Sequence, residues 1–160
     1  MPHAFYNSPI GWMKLTSNRT KLESIEFLDG ETAPEPNEPP TSKVLKTCIK
    51  ELDAYFNKQL ETFSVAVVER GSDFQRQVMR EVQTIPFGQV ATYLDIAHKV
   101  GDVQAVRAVG GANGRNQIPI IIPCHRIVAQ NGQLTGYAWG IWRKKWLLEF
   151  ERGEKQLDLF

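Results

Sequence analysis

Long hydrophobic runs are missing from this 160-residue chain. The longest apolar stretch, Ile118 to Pro123, is far shorter than the roughly 20 residues needed to cross a bilayer, so no membrane helix is expected. The opening residues, Met1-Pro2-His3-Ala4-Phe5, lack the basic, apolar and small-residue zones of a secretory leader, and we expect a cytoplasmic protein. Cysteine is scarce: Cys48 and Cys124 allow one disulfide at most, which excludes the cross-linked framework of a small secreted domain and fits free thiols. Histidine is scarce too. His3 is terminal, His98 falls on a short predicted helix and His125 adjoins Cys124, so neither a metal site nor any other cofactor is expected. Charge of neither sign dominates, the net being +1, but residues 1–71 carry 8 basic and 10 acidic side chains and residues 72–160 carry 11 and 8. A polyanion, if one binds, should meet the second half.

Periodicity predicts an α/β protein of two domains, 1–71 and 72–160. Phe5 to Asn18 reads as a strand pair turning near Pro9-Ile10-Gly11, and Leu22 to Leu28 alternates apolar and polar residues as a third strand. Gly30 to Pro40 holds four prolines and nothing that could join a core, and reads as an exposed loop. Ser42 caps a helix whose apolar stripe runs through Val44, Leu45, Cys48, Ile49, Leu52, Tyr55 and Phe56, which makes Cys48 a core residue. Phe63 to Val68 is expected to complete the sheet as a strand. Ser72 to about Gln83 is a helix with Phe74, Val78, Met79 and Val82 inward. After the Pro86-Phe87-Gly88 turn, Tyr93 to Val100 and Ala105 to Gly114 are short helices about a Gly101-Asp102-Val103 turn, a helix-turn-helix pattern. The second of these helices is crowded with small residues, among them Ala105, Ala108, Gly110, Gly111, Ala112 and Gly114. Glycine costs about 1 kcal/mol at a helix-interior position, so close approach is implied, either to a neighbouring helix or to a DNA groove with Arg107 as the one long side chain.

Chemistry concentrates in Ile118-Pro-Ile-Ile-Ile-Pro-Cys-His-Arg126, which reads as an apolar strand ending on Cys124. A free thiol is only a few per cent thiolate at neutral pH, so a nucleophilic cysteine needs a base or positive charge beside it, and His125 and Arg126 are the candidates. Adjacent residues on a strand face opposite ways, so activation requires an irregular backbone, a water or a distant carboxylate. Without such a device Cys124 is a buried thiol and His125 a satisfied histidine.

Pro123-Cys124-His125-Arg126, preceded by Arg107-Ala-Val-Gly-Gly-Ala-Asn113 and Pro86-Phe-Gly-Gln-Val90 with Tyr93, and followed by Asn131-Gly132, Gly136-Tyr137 and Arg143-Lys-Lys-Trp-Leu-Leu-Glu-Phe-Glu151, resembles the O6-alkylguanine-DNA alkyltransferase family over roughly Ser72 to Gly153. The resemblance implies a ribonuclease H-like N-terminal domain, a small antiparallel sheet with a helix, followed by a mainly helical, winged helix-turn-helix domain. It implies Cys124 as alkyl acceptor, His125 contacting it through a water, Glu151 orienting His125, Asn116 linking the recognition helix to the cysteine segment and Tyr93 as proton donor to the leaving base. It also implies Arg107, Ala108, Gly110 and Arg115 at alkylated double-stranded DNA, and Pro119, Ile127, Tyr137, Ala138 and Trp139 around the flipped base. Ala138 and Trp139 stand where small residues, serine and glycine, are common in the family. The expected activity is irreversible, single-turnover transfer of the alkyl group from O6-alkylguanine, and from O4-alkylthymine, by a monomer. A damage-binding module would use the same helices without covalent change, and a cysteine hydrolase would turn over repeatedly and not need Arg107.

Overall fold

The computed structural model describes residues 1–30 and 40–153, in two compact units that divide between Val68 and Glu69. In the first, β1 (His3–Ser8), β2 (Gly11–Ser17) and β3 (Leu22–Phe27) form an antiparallel sheet in that order, with His3 opposite Thr16, Ser8 opposite Gly11 and Met13 opposite Phe27. The β1–β2 turn is closed by Ser8, whose hydroxyl donates to the Gly11 carbonyl at 2.7 Å and accepts from the Ile10 amide at 3.2 Å. Alternation places Met13, Leu15, Ile25 and Phe27 on one buried face. Helix α1 (Lys43–Phe56) packs against all three strands with Leu45, Cys48, Leu52 and Tyr55 buried, and starts where the Ser42 hydroxyl accepts the Leu45 amide at 3.4 Å.

Phe63 to Val68 is not a strand. The Glu51 carboxylate on α1 accepts from the Ser64 and Val65 amides at 2.9 Å each, so those donors are unavailable to a ladder. What remains is a single parallel bridge, Leu22 to Val67, made by the Leu22 amide to the Ala66 carbonyl and the Val68 amide to the Leu22 carbonyl. Most of the proline-rich stretch expected as an exposed loop, residues 31–39, lies outside the described residues.

The second unit opens on α2 (Asp73–Val82), capped by the Ser72 hydroxyl accepting the Gln75 amide at 3.1 Å, with Val78, Met79 and Val82 buried; Phe74 is half-buried. A short strand, β4 (Ala91–Thr92), runs into α3 (Tyr93–Lys99), whose first turn is closed by a reciprocal capping box between Thr92 and Asp95. The turn through Gly101 and Asp102 leads to α4 (Val106–Gly114), which no side chain caps. Helices α2, α3 and α4 pack pairwise around Val78, Val82, Ile96, Ala97, Val109 and Ala112, so α3 and α4 form the helix-turn-helix. Strand β5 (Ile127–Val128) pairs in parallel with β4, and α5 (Ile141–Arg152) closes the unit, ending at Gly153. No helix among the described residues is long and apolar enough to cross a membrane.

The segment Ile118 to Pro123 is also not a strand. Pro119 and Pro123 have no amide hydrogen to give a ladder. Ile120 takes a left-handed φ of 74°, and the available amides bond locally, Ile121 to the Pro119 carbonyl at 2.9 Å, Ile122 to Ile118 at 3.0 Å and Cys124 to Ile122 at 2.8 Å. The chain therefore coils into one 3-10 turn over Cys124–Arg126.

The α1 contacts imply unequal costs. Leu52→Ala should destabilise the protein by about 2–5 kcal/mol, whereas Ser42→Ala, which removes only the cap, should cost about 1 kcal/mol. Urea denaturation followed by far-UV circular dichroism measures both, and comparable losses would contradict the packing described.

Candidate active site

A carboxylate has about four lone-pair positions, and at Glu151 four contacts use them. Glu151 lies in the last turn of α5. Its Oε2 accepts from His125 Nε2 at 2.8 Å and Arg126 Nη2 at 2.9 Å, and its Oε1 from Arg126 Nε at 2.8 Å and the Gly88 amide at 3.3 Å. All of the side chains involved are buried. Burial alone would raise the Glu151 pKa, but the contacts with His125 and Arg126 outweigh it and hold the carboxyl well below the usual range.

The 3-10 turn makes these contacts available to Cys124. On a strand Cys124 and His125 would face opposite ways; here the tight turn buries both side chains in the same interior. Burial pushes the His125 pKa down, Glu151 pulls it up, and Arg126 and Lys144 push it down again, leaving it below the ordinary value. The resting imidazole is therefore neutral. With an ionised carboxylate at Nε2, that nitrogen carries the proton and donates it to Glu151, so Nδ1 holds the lone pair. Nδ1 is buried and has no hydrogen-bond partner.

Burial raises the Cys124 pKa, so the resting group is a thiol; a hydrogen bond from Asn116, the charge of Lys144 and the Tyr137 hydroxyl all act in the opposite sense by favouring the thiolate. The Tyr137 hydroxyl is buried, with no full hydrogen bond to any acceptor, and is placed to donate to sulfur once it is charged. Asn116 also fixes the cysteine segment: its Nδ2 donates to the Ile122 carbonyl at 2.9 Å and its Oδ1 accepts the Ile118 amide at 3.0 Å, stapling both ends of the left-handed turn. Asn113 of α4 donates to the Cys124 carbonyl at 3.3 Å.

Cys124, His125, Glu151, Asn116 and Tyr137 thus converge. Tyr93 stands nearby, its hydroxyl donating to the Thr135 carbonyl at 3.3 Å, the same carbonyl that accepts Lys144 Nζ at 2.9 Å. Pro119 and Ile127 are buried, Ala138 is exposed, and Trp139 is half-buried with its carbonyl held by Arg143 Nη1 at 3.0 Å. On α4, Arg107 and Ala108 are exposed, as is Arg115 just past its C-terminal end. Gly110 is half-buried instead, and a Cβ there would meet the Tyr93 ring at 3.8 Å, an ordinary van der Waals contact, so α3 does not by itself require glycine at this position. Arg126 differs from its expected place: its guanidinium lies on Glu151 and on the Ile85 carbonyl at 2.7 Å, rather than activating the thiol directly. Among the described residues no three histidine, cysteine or acidic side chains gather as a metal set.

Lys144 escaped the sequence reading. It is fully buried, and burial brings its pKa down to about 8 while the Cys124 charge works to raise it. A signal existed: Lys144, Leu147, Leu148 and Glu151 recur at helical spacing, so two charges lie on the buried stripe of α5.

The two shifts predict acid lability in two windows. His125, with a folded pKa below its unfolded value of about 6.5, contributes stability that declines as pH falls below that value. Glu151, also depressed, contributes stability that is present above about pH 5 and declines as pH falls further. Urea midpoints from pH 8 to 3.5 should drop in both windows. Glu151→Gln, which leaves a buried guanidinium uncompensated, should cost about 3–5 kcal/mol at pH 7 and show a smaller drop below pH 5; a wild-type midpoint flat from pH 7.5 to 5.5 would refute the His125 reading.

Comparison with known proteins agrees in both units. Residues 73–153 match the family described as 6-O-methylguanine DNA methyltransferase, DNA binding domain, and residues 1–68 match its ribonuclease-like domain. The chain is 40% identical to the methylated-DNA--protein-cysteine methyltransferase of Methanosarcina barkeri, over 94% of this chain and 97% of that one, and 40% identical to the protein of the same description from Mycobacterium tuberculosis, over 96% and 93%. The structure of the Mycobacterium tuberculosis protein in complex with DNA superposes with a TM-score of 0.87 at 38% identity, covering 99% of this chain and 98% of that one. An O6-methylguanine DNA methyltransferase from Methanococcus jannaschii superposes with a TM-score of 0.66 at 31% identity, covering 92% of each chain. With matches spanning both units and nearly the full length, this chain belongs to the 6-O-methylguanine DNA methyltransferase family.

Proposed function

We propose that this protein repairs DNA by direct reversal, moving the alkyl group from O6 of guanine, and from O4 of thymine, onto Sγ of Cys124. The observation that carries the reading is the buried Cys124, His125 and Glu151 set behind a helix-turn-helix, in a chain whose relatives bear the name of this reaction. His125 Nδ1 accepts the thiol proton through a water, and Glu151 holds the tautomer and steadies the imidazolium that forms. Lys144 and the Tyr137 and Asn116 side chains favour the thiolate. The sulfur attacks the alkyl carbon in line, the new carbon–sulfur bond forms as the carbon–O6 bond breaks, and the leaving guanine takes a proton. Tyr93 supplies that proton by releasing the Thr135 carbonyl, and the imidazolium restores it. A thioether is not hydrolysed under these conditions, so each molecule acts once.

An alkyl carbon on a stacked base is closed to in-line attack, and extruding the nucleotide costs a few kcal/mol. Arg107, exposed in the first turn of α4, fills the gap left in the stack, while Ala108 and the slim face of the helix allow close approach to the minor groove and Arg115 contacts the backbone. No side chain caps the start of α4, and a helix N-terminus of that kind favours a phosphate. Pro119, Ile127, Tyr137, Ala138 and Trp139 form the base pocket, with Trp139 setting how bulky an alkyl group enters. The protein acts as a cytoplasmic monomer on alkylated double-stranded DNA.

Mixing the protein with a duplex containing O6-methylguanine should add one methyl per molecule, mapped by mass spectrometry to the Cys124 peptide and absent from Cys124→Ala. Binding without a mass change would replace this reading with damage sensing. Arg107→Ala should slow transfer from a duplex by about tenfold or more, through loss of the extrusion support, and slow transfer from a single strand far less. Equal slowing on both substrates would remove Arg107 from that role.

A further inference from the structure

Three buried or nearly buried cations surround the site, Arg126, Arg143 and Lys144, and among them Arg126 is bonded to the carboxylate that His125 uses. A lone carboxylate against a buried imidazole favours the imidazolium, because an opposite charge nearby stabilises the charged form. A histidine already protonated cannot accept the thiol proton. We propose that Arg126 is a positioning residue for this reaction: its two-pronged hold on Glu151 fixes the carboxylate and balances its charge, so that burial can keep His125 a neutral base whose Nδ1 has no other hydrogen-bond partner. The inference rests on the transfer reaction proposed above.

The geometry ties this hold to a third segment. Arg126 Nη1 donates to the Ile85 carbonyl at 2.7 Å, the Gly88 amide donates to Glu151 Oε1 at 3.3 Å, and the Phe87 ring lies 5.9 Å from the guanidinium carbon. Gly88 has φ +80°, and a Cβ there would stand 3.3 Å from the Glu151 backbone carbonyl oxygen, so the turn over 85–88 lies close against the last turn of α5 that carries the carboxylate. The titratable and charged groups acting on His125 are Glu151 and Lys144 from α5 and Arg126 from its own turn; Cys124 adjoins it in the chain, Tyr137 acts on the sulfur, and Arg143 acts on Tyr137. Of these, Glu151 alone favours the imidazolium, and Arg126 is the cation bonded to it. When the sulfur–hydrogen bond breaks and the proton reaches Nδ1, Arg126 opposes the new charge, so the proton is held briefly and passes on towards the leaving guanine.

Single-turnover methyl transfer to Cys124 from an O6-methylguanine duplex, timed from pH 5.5 to 8.5, tests the proposal. Arg126→Met should be at least about tenfold slower at pH 6.5, with its acid limb displaced upward by about one pH unit and its rate recovering towards wild type by pH 8.5. Arg126→Lys, which keeps the charge but not the fork, should be slower at every pH with the limb in place. An Arg126→Met rate depressed equally at all pH values, or a limb displaced in Arg126→Lys, would overturn the proposal. Should Arg126→Met fail to fold by circular dichroism, the double variant Arg126→Met/Glu151→Gln, which removes both buried charges, decides. It should be no slower than Glu151→Gln alone; a further loss beyond about threefold would show that Arg126 acts apart from Glu151. A wild-type protein that transfers no methyl would overturn the transfer reading itself, and this inference with it.

Discussion

The second unit is organised around one buried anion. Glu151, carried on α5, draws donors from two separated stretches, the Gly88 amide in the turn over 85–88 and the His125 and Arg126 side chains of the 3-10 turn. Removing charges from water is costly, and replacing such a cluster by apolar side chains is often neutral or stabilising. The cluster is therefore poorly explained as a stabilising device. It is well explained as a means of fixing one tautomer of one imidazole beside one thiol, with a favourable fold supplied by the apolar packing of α2, α3 and α4.

That electrostatic arrangement depends on a backbone that is irregular by construction. Prolines at 119 and 123 remove ladder donors, Asn116 clamps the ends of the loop, and Asn113 reaches from α4 to the Cys124 carbonyl. The proposed acceptor is thus attached through amide groups to the helix proposed to meet DNA. A shared acceptor acts similarly on the other side, where the Thr135 carbonyl receives both Tyr93 from α3 and Lys144 from α5.

Where the sequence was readable, local chemistry and tertiary packing agreed. Ser42 and Ser72 cap the helices their spacing announced, Pro9-Ile10-Gly11 turns the first hairpin, and the Gly101 turn separates α3 from α4. The two misread segments, Phe63–Val68 and Ile118–Pro123, are both short apolar runs with a strand-like face. In each, what decided the outcome was a hydrogen-bond competitor outside the run: Glu51 for the first and Asn116, together with the missing proline amides, for the second. The site divides the same way. Cys124 and His125 stand out because they are adjacent in an unusual context, but the partners of Arg126, at Ile85 and Glu151, are 41 and 25 residues away, and no local pattern reports such a pairing.

Ile120 shows how narrowly the cysteine loop is specified. A β-branched residue in the left-handed region is strained by about 1–3 kcal/mol, and glycine would relieve that strain at once. Yet Ile120 is also among the fully buried side chains, and emptying its place would cost more than the strain releases. Residues that suit the backbone do not fill the space, and those that fill the space do not suit the backbone. A substitution here therefore trades one cost for the other: relaxing the backbone opens a cavity beneath the cysteine loop, and keeping the cavity filled keeps the strain.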